Sequence, residues 1–311
     1  MISVVVPFFN EESGIPRFHA ALVDALSRTG VPWEAIYVND GSSDRSLEQL
    51  LEIHRVDSRV SVVELSRNWG HQPALTAGLS QANGEAVILI DGDLQDPPSV
   101  IPELLAAWRS GAEVVIAERR SRRETILRRA LIGAFYRVFG FLSDFPIPLN
   151  AGIFCLLDRK VVGVLERLSE SNRYLPGLRA WVGFPSRVVY YDRQARAVGA
   201  PKQSLIRLLR YAFDAVFSFS YKPLRLCLVF GLLVAFLAVI YGFVLLGCRL
   251  AGVGIFGIPV VDGYTSTIVS ILFLGGVQLI GMGILGEYLG RVYDEVKRRP
   301  LYVIRNVYRA T

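Results

Sequence analysis

Residues 86 to 98 read Ala-Val-Ile-Leu-Ile-Asp91-Gly92-Asp93-Leu-Gln95-Asp96-Pro97-Pro98. A short apolar run ends in two carboxylates one residue apart, then an amide, a third carboxylate and a proline pair that stops a strand. Oxygen donors with no adjacent His or Cys suit Mg²⁺ or Mn²⁺ better than zinc. Such ions are typically held by one or two carboxylates while substrate phosphates complete the shell. Taken alone, an Asp-x-Asp reads equally well as an acidic turn after a strand. Its surroundings decide.

Those surroundings alternate short apolar runs with longer amphipathic ones. Residues 2–6, 35–38, 60–65, 86–90 and 113–117 read as strands, with helical patterns near 12–29, 44–55, 73–82 and 99–109. This alternation predicts an α/β fold, a mostly parallel sheet covered by helices on both faces. Polar residues then recur just past the strands: Asn10 and Glu11, Asp40, Arg67, Asp91 with Asp93, and Arg119. Open α/β sheets bind ligands at the carboxyl ends of their strands, so these side chains are expected to converge on one crevice. Several also have a local reading. Asp40-Gly41-Ser42-Ser43-Asp44 is a good strand-to-helix turn with a capping residue, and Asn10-Glu11-Glu12 places acid at a helix start. His71 reads as a turn or packing residue and is given no role.

Pro7-Phe-Phe-Asn10-Glu11, Asn39-Asp40-Gly-Ser-Ser-Asp44, Arg67-Asn-Trp-Gly-His71-Gln-Pro-Ala-Leu-Thr-Ala-Gly78 and Asp91-Gly-Asp93-Leu-Gln95-Asp96-Pro-Pro together resemble the nucleotide-sugar half of a family 2 glycosyltransferase, and within it the group acting on polyprenyl phosphates. The resemblance implies a GT-A fold and a donor nucleotide lying on Pro7, Asn10, Glu11, Asp40, Asp91 and Gly92. It also implies a Mg²⁺ or Mn²⁺ ion held by Asp91, Asp93 and Gln95. The chain departs from that group at one stretch. Asn150, Ile153 and Cys155 stand where its members read Asp-x-Gly-Asp-Phe-Arg, so two acids and an arginine are absent.

The rest of the chain supplies basic and apolar segments. Six arginines fall between residues 119 and 129 and run into an apolar stretch, so residues 120–142 read as an amphipathic helix in a membrane interface. No aromatic interleaving or nucleic-acid module accompanies the run, and no nucleic-acid partner is expected. Arg119, Arg122, Arg128, Arg193, Arg196 and Lys202 are the candidate contacts for an acceptor phosphate; for Arg119 the resemblance agrees. Residues 201–224 form a second amphipathic segment.

Two apolar stretches, 226–248 and 265–286, are long enough to cross a bilayer. Lys222 and Arg225 precede the first, and Arg291, Lys297, Arg298 and Arg299 follow the second, whereas the intervening loop carries only Arg249 and Asp262. Counting positive charge therefore places residues 1–200, the catalytic domain, and the tail 291–311 on the cytoplasmic side of the inner membrane. Gly281-Met-Gly-Ile-Leu-Gly286 matches a dinucleotide pattern only in letters, since it follows no strand; its small residues suit close helix packing. Three scattered cysteines exclude a disulfide framework. The N-terminus lacks the basic segment of a signal peptide.

The expected function is therefore inverting transfer of a hexose from a UDP-sugar, UDP-glucose by resemblance, to undecaprenyl phosphate or a similar carrier, by a homo-oligomer, a tetramer by resemblance. A processive polysaccharide synthase is the alternative, although Leu178-Arg179-Ala-Trp181 lacks the Gln-x-x-Arg-Trp pattern of those enzymes. A non-catalytic membrane scaffold with a nucleotide-sugar fold is the third.

Overall fold

Val4, Val5 and Val6 are all fully buried. Side chains that alternate across a strand are buried on both faces only when helices cover both sides of the sheet. The computed structural model describes residues 1–119, 151–168, 170, 173–192, 222–250 and 264–310. Among these the chain runs β1 Ile2–Phe8, α1 Ile15–Ser27, β2 Trp33–Asn39, α2 Ser46–Val56, β3 Val60–Leu65, α3 His71–Leu79, β4 Ala86–Leu89, α4 Ile101–Arg109 and β5 Val114–Arg119. It continues with β6 Ala151–Asp158, α5 Arg159–Arg167, α6 Leu175–Trp181, β7 Ser186–Tyr191, α7 Lys222–Leu250, α8 Tyr264–Lys297 and β8 Ile304–Tyr308.

The strands form one eight-stranded sheet in the order β7-β5-β6-β4-β1-β2-β3-β8. β1 pairs in parallel with β2 and β4, β2 with β3, and β5 with β7, while β6 and β8 run against their neighbours. The expected α/β architecture with a mostly parallel sheet is thus observed. All five predicted strands form, and the four predicted helices form beside them. Their packing follows sequence spacing. Ile15, Phe18, Leu22 and Leu26 recur at helical intervals and are the buried stripe of α1. Phe8, Phe18 and Tyr37 meet edge to face, with centroids 5.4 to 6.5 Å apart. α3 lies unusually close to the sheet, since a methyl group on Gly78 would sit 2.2 Å from Val5 Cγ1.

The chain divides into two compact units. One holds all eight strands and α1 to α6; the other holds α7 and α8. α7 and α8 have 29 and 34 residues, about 43 and 51 Å at 1.5 Å per residue. Both are long and apolar enough to cross a membrane, and leucines, valines and phenylalanines along them are exposed. The predicted interfacial segment 120–142 and residues 201–221 of the segment 201–224 lie outside the described residues, while 222–224 begin α7.

The last strand carries no local signal in the sequence and falls within the predicted tail 291–311. β8 pairs antiparallel with β3. Glu64 accepts from Asn306 Nδ2 at 2.7 Å and from Arg305 Nη1 at 3.4 Å, and Ser66 N donates to the Val303 carbonyl.

Candidate active site

The loops after β1, β2, β3 and β4 are tied to one another by a chain of short contacts. Asn10, at φ 54°, accepts from Ser43 N at 2.8 Å through Oδ1, and its own N–H donates to Ser42 Oγ at 3.1 Å. Glu11 N donates to Ser46 Oγ at 3.0 Å. Asp44 accepts from both Glu12 N and Ser46 N and so bridges two loops just before α2, whose N-cap is Arg45 without a side-chain capping bond.

Asp40 reaches the other way. It is buried and accepts from the backbone N–H groups of Trp69 at 2.7 Å and Gly70 at 3.0 Å. Burial raises its carboxyl above the ordinary range, although those two N–H donors oppose the shift. The contact requires close backbone approach: a methyl group on Gly41, which lies at φ +63°, would meet Arg67 C at 2.3 Å. Arg67 itself stacks on the Trp69 ring, 3.7 Å from its centroid.

The Asp91–Asp96 turn closes the series. Gly92 is seated against the Phe8 ring, where an added methyl would lie 2.2 Å from Cε1. Leu94 takes φ +59°, which turns the backbone so that Asp93 accepts from Gln95 N at 3.0 Å and from Gln95 Nε2 at 2.7 Å. Asp91 and His71 Nε2 are 2.7 Å apart. The first residue of α3, read from the sequence as packing, therefore stands beside the candidate metal carboxylate. Desolvation pulls the His71 imidazole down, and the hydrogen bond to Asp91 with the charges of Asp91, Asp40 and Asp93 more than reverses this, leaving it raised.

A second cluster lies across the sheet. Asp96 is 2% exposed, accepts from Arg119 Nη2 at 3.2 Å, and accepts a short hydrogen bond from the Tyr191 hydroxyl. Arg119 Nε also donates to that hydroxyl at 3.1 Å. Burial and the Asp96 charge push the Tyr191 phenol up, so it stays a donor. Arg119 is thus held by two partners at the end of β5. Neither Asp96 nor Tyr191 was assigned a role from the sequence, and only the register pairing Arg119 with Tyr191 reveals the triad.

The structure accordingly gathers Pro7, Asn10, Glu11, Asp40, Asp91, Gly92, Asp93 and Gln95 at the carboxyl ends of β1, β2 and β4, and puts Arg119 at the end of β5. Arg122, Arg128, Arg193, Arg196 and Lys202 lie outside the described residues. Among the described residues no three His, Cys, Asp or Glu side chains gather to form a metal cage. Two carboxylates on one turn suit an ion that takes its remaining ligands from water and a diphosphate.

The model of glycosyl transferase family 2 matches residues 3–164, a span holding every loop of this crevice. The chain belongs to glycosyl transferase family 2. The transferase is 43% identical over 309 residues to an uncharacterised glycosyltransferase of Synechocystis, covering 99% of this chain and 95% of that one. It is 42% identical to the bactoprenol glucosyl transferase of Shigella phage SfII, covering 99% and 98%. Among solved structures it is similar to glucosyl-3-phosphoglycerate synthase from Mycobacterium tuberculosis in complex with Mn²⁺, UDP and glucosyl-3-phosphoglycerate. That likeness is at 21% identity and a TM-score of 0.46, over 70% of this chain and 77% of that one.

Proposed function

We propose that this glycosyltransferase moves glucose from UDP-glucose onto a polyprenyl phosphate at the cytoplasmic face of the membrane. The observation that carries the reading is the 42% identity to a bactoprenol glucosyl transferase over 99% of the chain, a length that includes both apolar helices as well as the crevice. In this reading α7 and α8 form a membrane hairpin, with the catalytic unit and the tail in the cytoplasm. The protein works as a homo-oligomer.

The donor nucleotide lies over Pro7, Asn10, Glu11, Asp40 and Gly92, on loops that the Asn10–Ser43 and Asp40–Trp69 bonds hold in place. Asp91, Asp93 and Gln95 would hold a divalent ion, with Gln95 Nε2 also donating to Asp93. A bound Mg²⁺ or Mn²⁺ supplies charge stabilisation for the departing diphosphate. Arg119, fixed by Asp96 and Tyr191, presents a positive charge to the reacting phosphates without reorganising. The arginines at 122, 128, 193 and 196, with Lys202, receive the lipid phosphate. That nucleophile is already substantially ionised near neutrality, its second pKa being about 6, so attack needs no side-chain base and inverts the anomeric centre.

The test is incubation of detergent-held protein with Mn²⁺ or Mg²⁺, undecaprenyl phosphate and a panel of UDP- and GDP-sugars, reading glycolipid mass and released nucleotide. One glucose per lipid is expected, with turnover lowered about 100-fold or more by Asp93→Ala. Polymer on the lipid, or full turnover in Asp93→Ala, would sink the mechanism.

A further inference from the structure

Arg179, in α6, is 5% exposed, and among the described residues it has no carboxylate partner. Its Nη1 and Nη2 point at the Gly152 carbonyl from 3.5 and 3.4 Å, longer than the 2.7–3.2 Å usual for such bonds. Its Nε has no partner. The Cys155 thiol beside it is buried and pushed up by that burial, a shift opposed by the Arg179 charge and by a hydrogen bond between the two side chains. A buried cation left in this condition is expensive, since buried charges are normally paired or bound to a ligand.

Arg173 is the nearest comparison in the same region, and its Nε too has no partner. It is similarly buried, but it donates through both terminal nitrogens to the Leu165 and Leu168 carbonyls. There it caps the end of α5; burial holds its guanidinium below the ordinary range, and the nearby Glu170 and Glu166 oppose that shift. Arg179 pairs with no carboxylate among the described residues, and its two terminal nitrogens share the single Gly152 carbonyl at longer range.

Its location gives the reason. Cys155 pairs with Leu89, the last residue of β4. Gly152, earlier on the antiparallel strand, therefore projects past the end of β4 in the direction of the Asp91–Asp93 turn. A methyl group on Gly152 would lie 4.0 Å from Arg119 Nη2, so two guanidinium groups converge on one glycine. Asp96 is the only carboxylate that either one contacts among the described residues, and it is already on Arg119. α6 is itself fastened to the crevice, because Leu175 N donates to Gln72 Oε1 at 2.9 Å, next to His71. We infer that Arg179 is an anion-binding residue of the crevice, its charge completed by a phosphate group of the substrates. This rests on the proposed reaction, in which both the donor diphosphate and the lipid phosphate enter the same crevice.

The experiment compares Arg179→Met and Arg179→Lys with wild type in detergent. It measures melting temperature, UDP affinity by calorimetry with Mn²⁺, and the melting shift given by undecaprenyl phosphate. Arg179→Met is expected to raise the melting temperature, because an uncompensated charge is replaced by an apolar chain of similar length. It should also weaken one phosphate ligand about 10- to 100-fold, the loss typical of hydrogen bonds to a charged group. Loss of UDP affinity assigns the donor diphosphate; loss of the lipid-induced shift assigns the acceptor. Arg179→Lys, which keeps the charge, should recover part of the affinity. Unchanged affinity for both ligands with a lowered melting temperature would make Arg179 a strut for Gly152 and overturn the inference, as would absence of any recovery in the lysine variant. Neither readout needs turnover, so wild type that binds UDP yet transfers no glucose would refute the reaction while leaving the Arg179 result legible.

Discussion

The two halves of the crevice are built in opposite ways. Around β1, β2, β3 and β4 the loops hold each other through backbone groups and short polar side chains: Asn10 with Ser43, Asp40 with Trp69 and Gly70, Asp93 with Gln95. Around β5, β6 and β7 the connections run through large side chains, Asp96 with Arg119 and Tyr191, and Arg179 to the Gly152 carbonyl. The first half is a rigid cradle whose shape is set by backbone. The second is an arrangement of fixed charges, suited to groups whose charge changes during reaction.

The sharpest way to break the cradle is Gly41→Ala. The new methyl would need φ +63° and would overlap the Arg67 backbone at 2.3 Å, which cannot swing aside as a side chain can. A loss of about 3 kcal/mol or more in stability is expected, with UDP affinity falling alongside it. Thermal melting and calorimetry read both, and a variant that keeps wild-type UDP affinity would show the β2–β3 contact to be dispensable. Asp96→Asn breaks the other half. It leaves the Arg119 cation without its carboxylate, at about 2 kcal/mol, less than for a fully buried pair because the Arg119 side chain is 23% exposed. Turnover should drop while UDP affinity holds, and the reverse pattern would merge the two halves into one.

Asp40→Asn is a smaller cut within the cradle. An amide in place of the carboxylate can accept from only one of the Trp69 and Gly70 N–H groups, about 1 kcal/mol, and UDP affinity should weaken modestly. The smallest effect belongs at the opposite end of the strands. There Arg59 binds Asp57 with two bonds of 2.8 Å, holding that carboxyl below its ordinary value of 3.8. The pair's contribution is therefore present above about pH 3.8 and lost as pH falls through the lower folded-state value. Arg59→Met should cost about 0.5 kcal/mol at pH 7, less at strongly acid pH where only its stacking on Trp33 remains, and no UDP affinity. An effect on binding would show that the crevice is not isolated from that end of the sheet.

The contrast also explains what was legible in the sequence. The cradle is written in contiguous motifs at the ends of apolar runs, so both the strands and the polar residues closing them could be read. Strand β7 has no such signature. Its residues Ser186 to Tyr191 are mostly exposed, with only Tyr191 fully buried, because it is an edge strand whose pairing with β5 decides its place. Arg179 in isolation reads as a solvated helical arginine; only the fold buries it. His71 reads in the sequence as a turn or packing residue, not as the neighbour of Asp91, which comes twenty residues later. Asp96 was visible as a third carboxylate, yet its partner Tyr191 lies 95 residues away, beyond any local pattern.

β8 carries a consequence for the order of events during synthesis. The bonds from Arg305 and Asn306 to Glu64 span 241 and 242 residues, and both apolar helices are made in between. The β3 margin therefore stays an open template, with unpaired N–H and C=O groups, until residues 304–308 have left the ribosome. A nascent chain stalled before residue 304 would have a finished Asp91–Asp93 turn but an unsealed sheet, and would be the species most exposed to strand-to-strand aggregation.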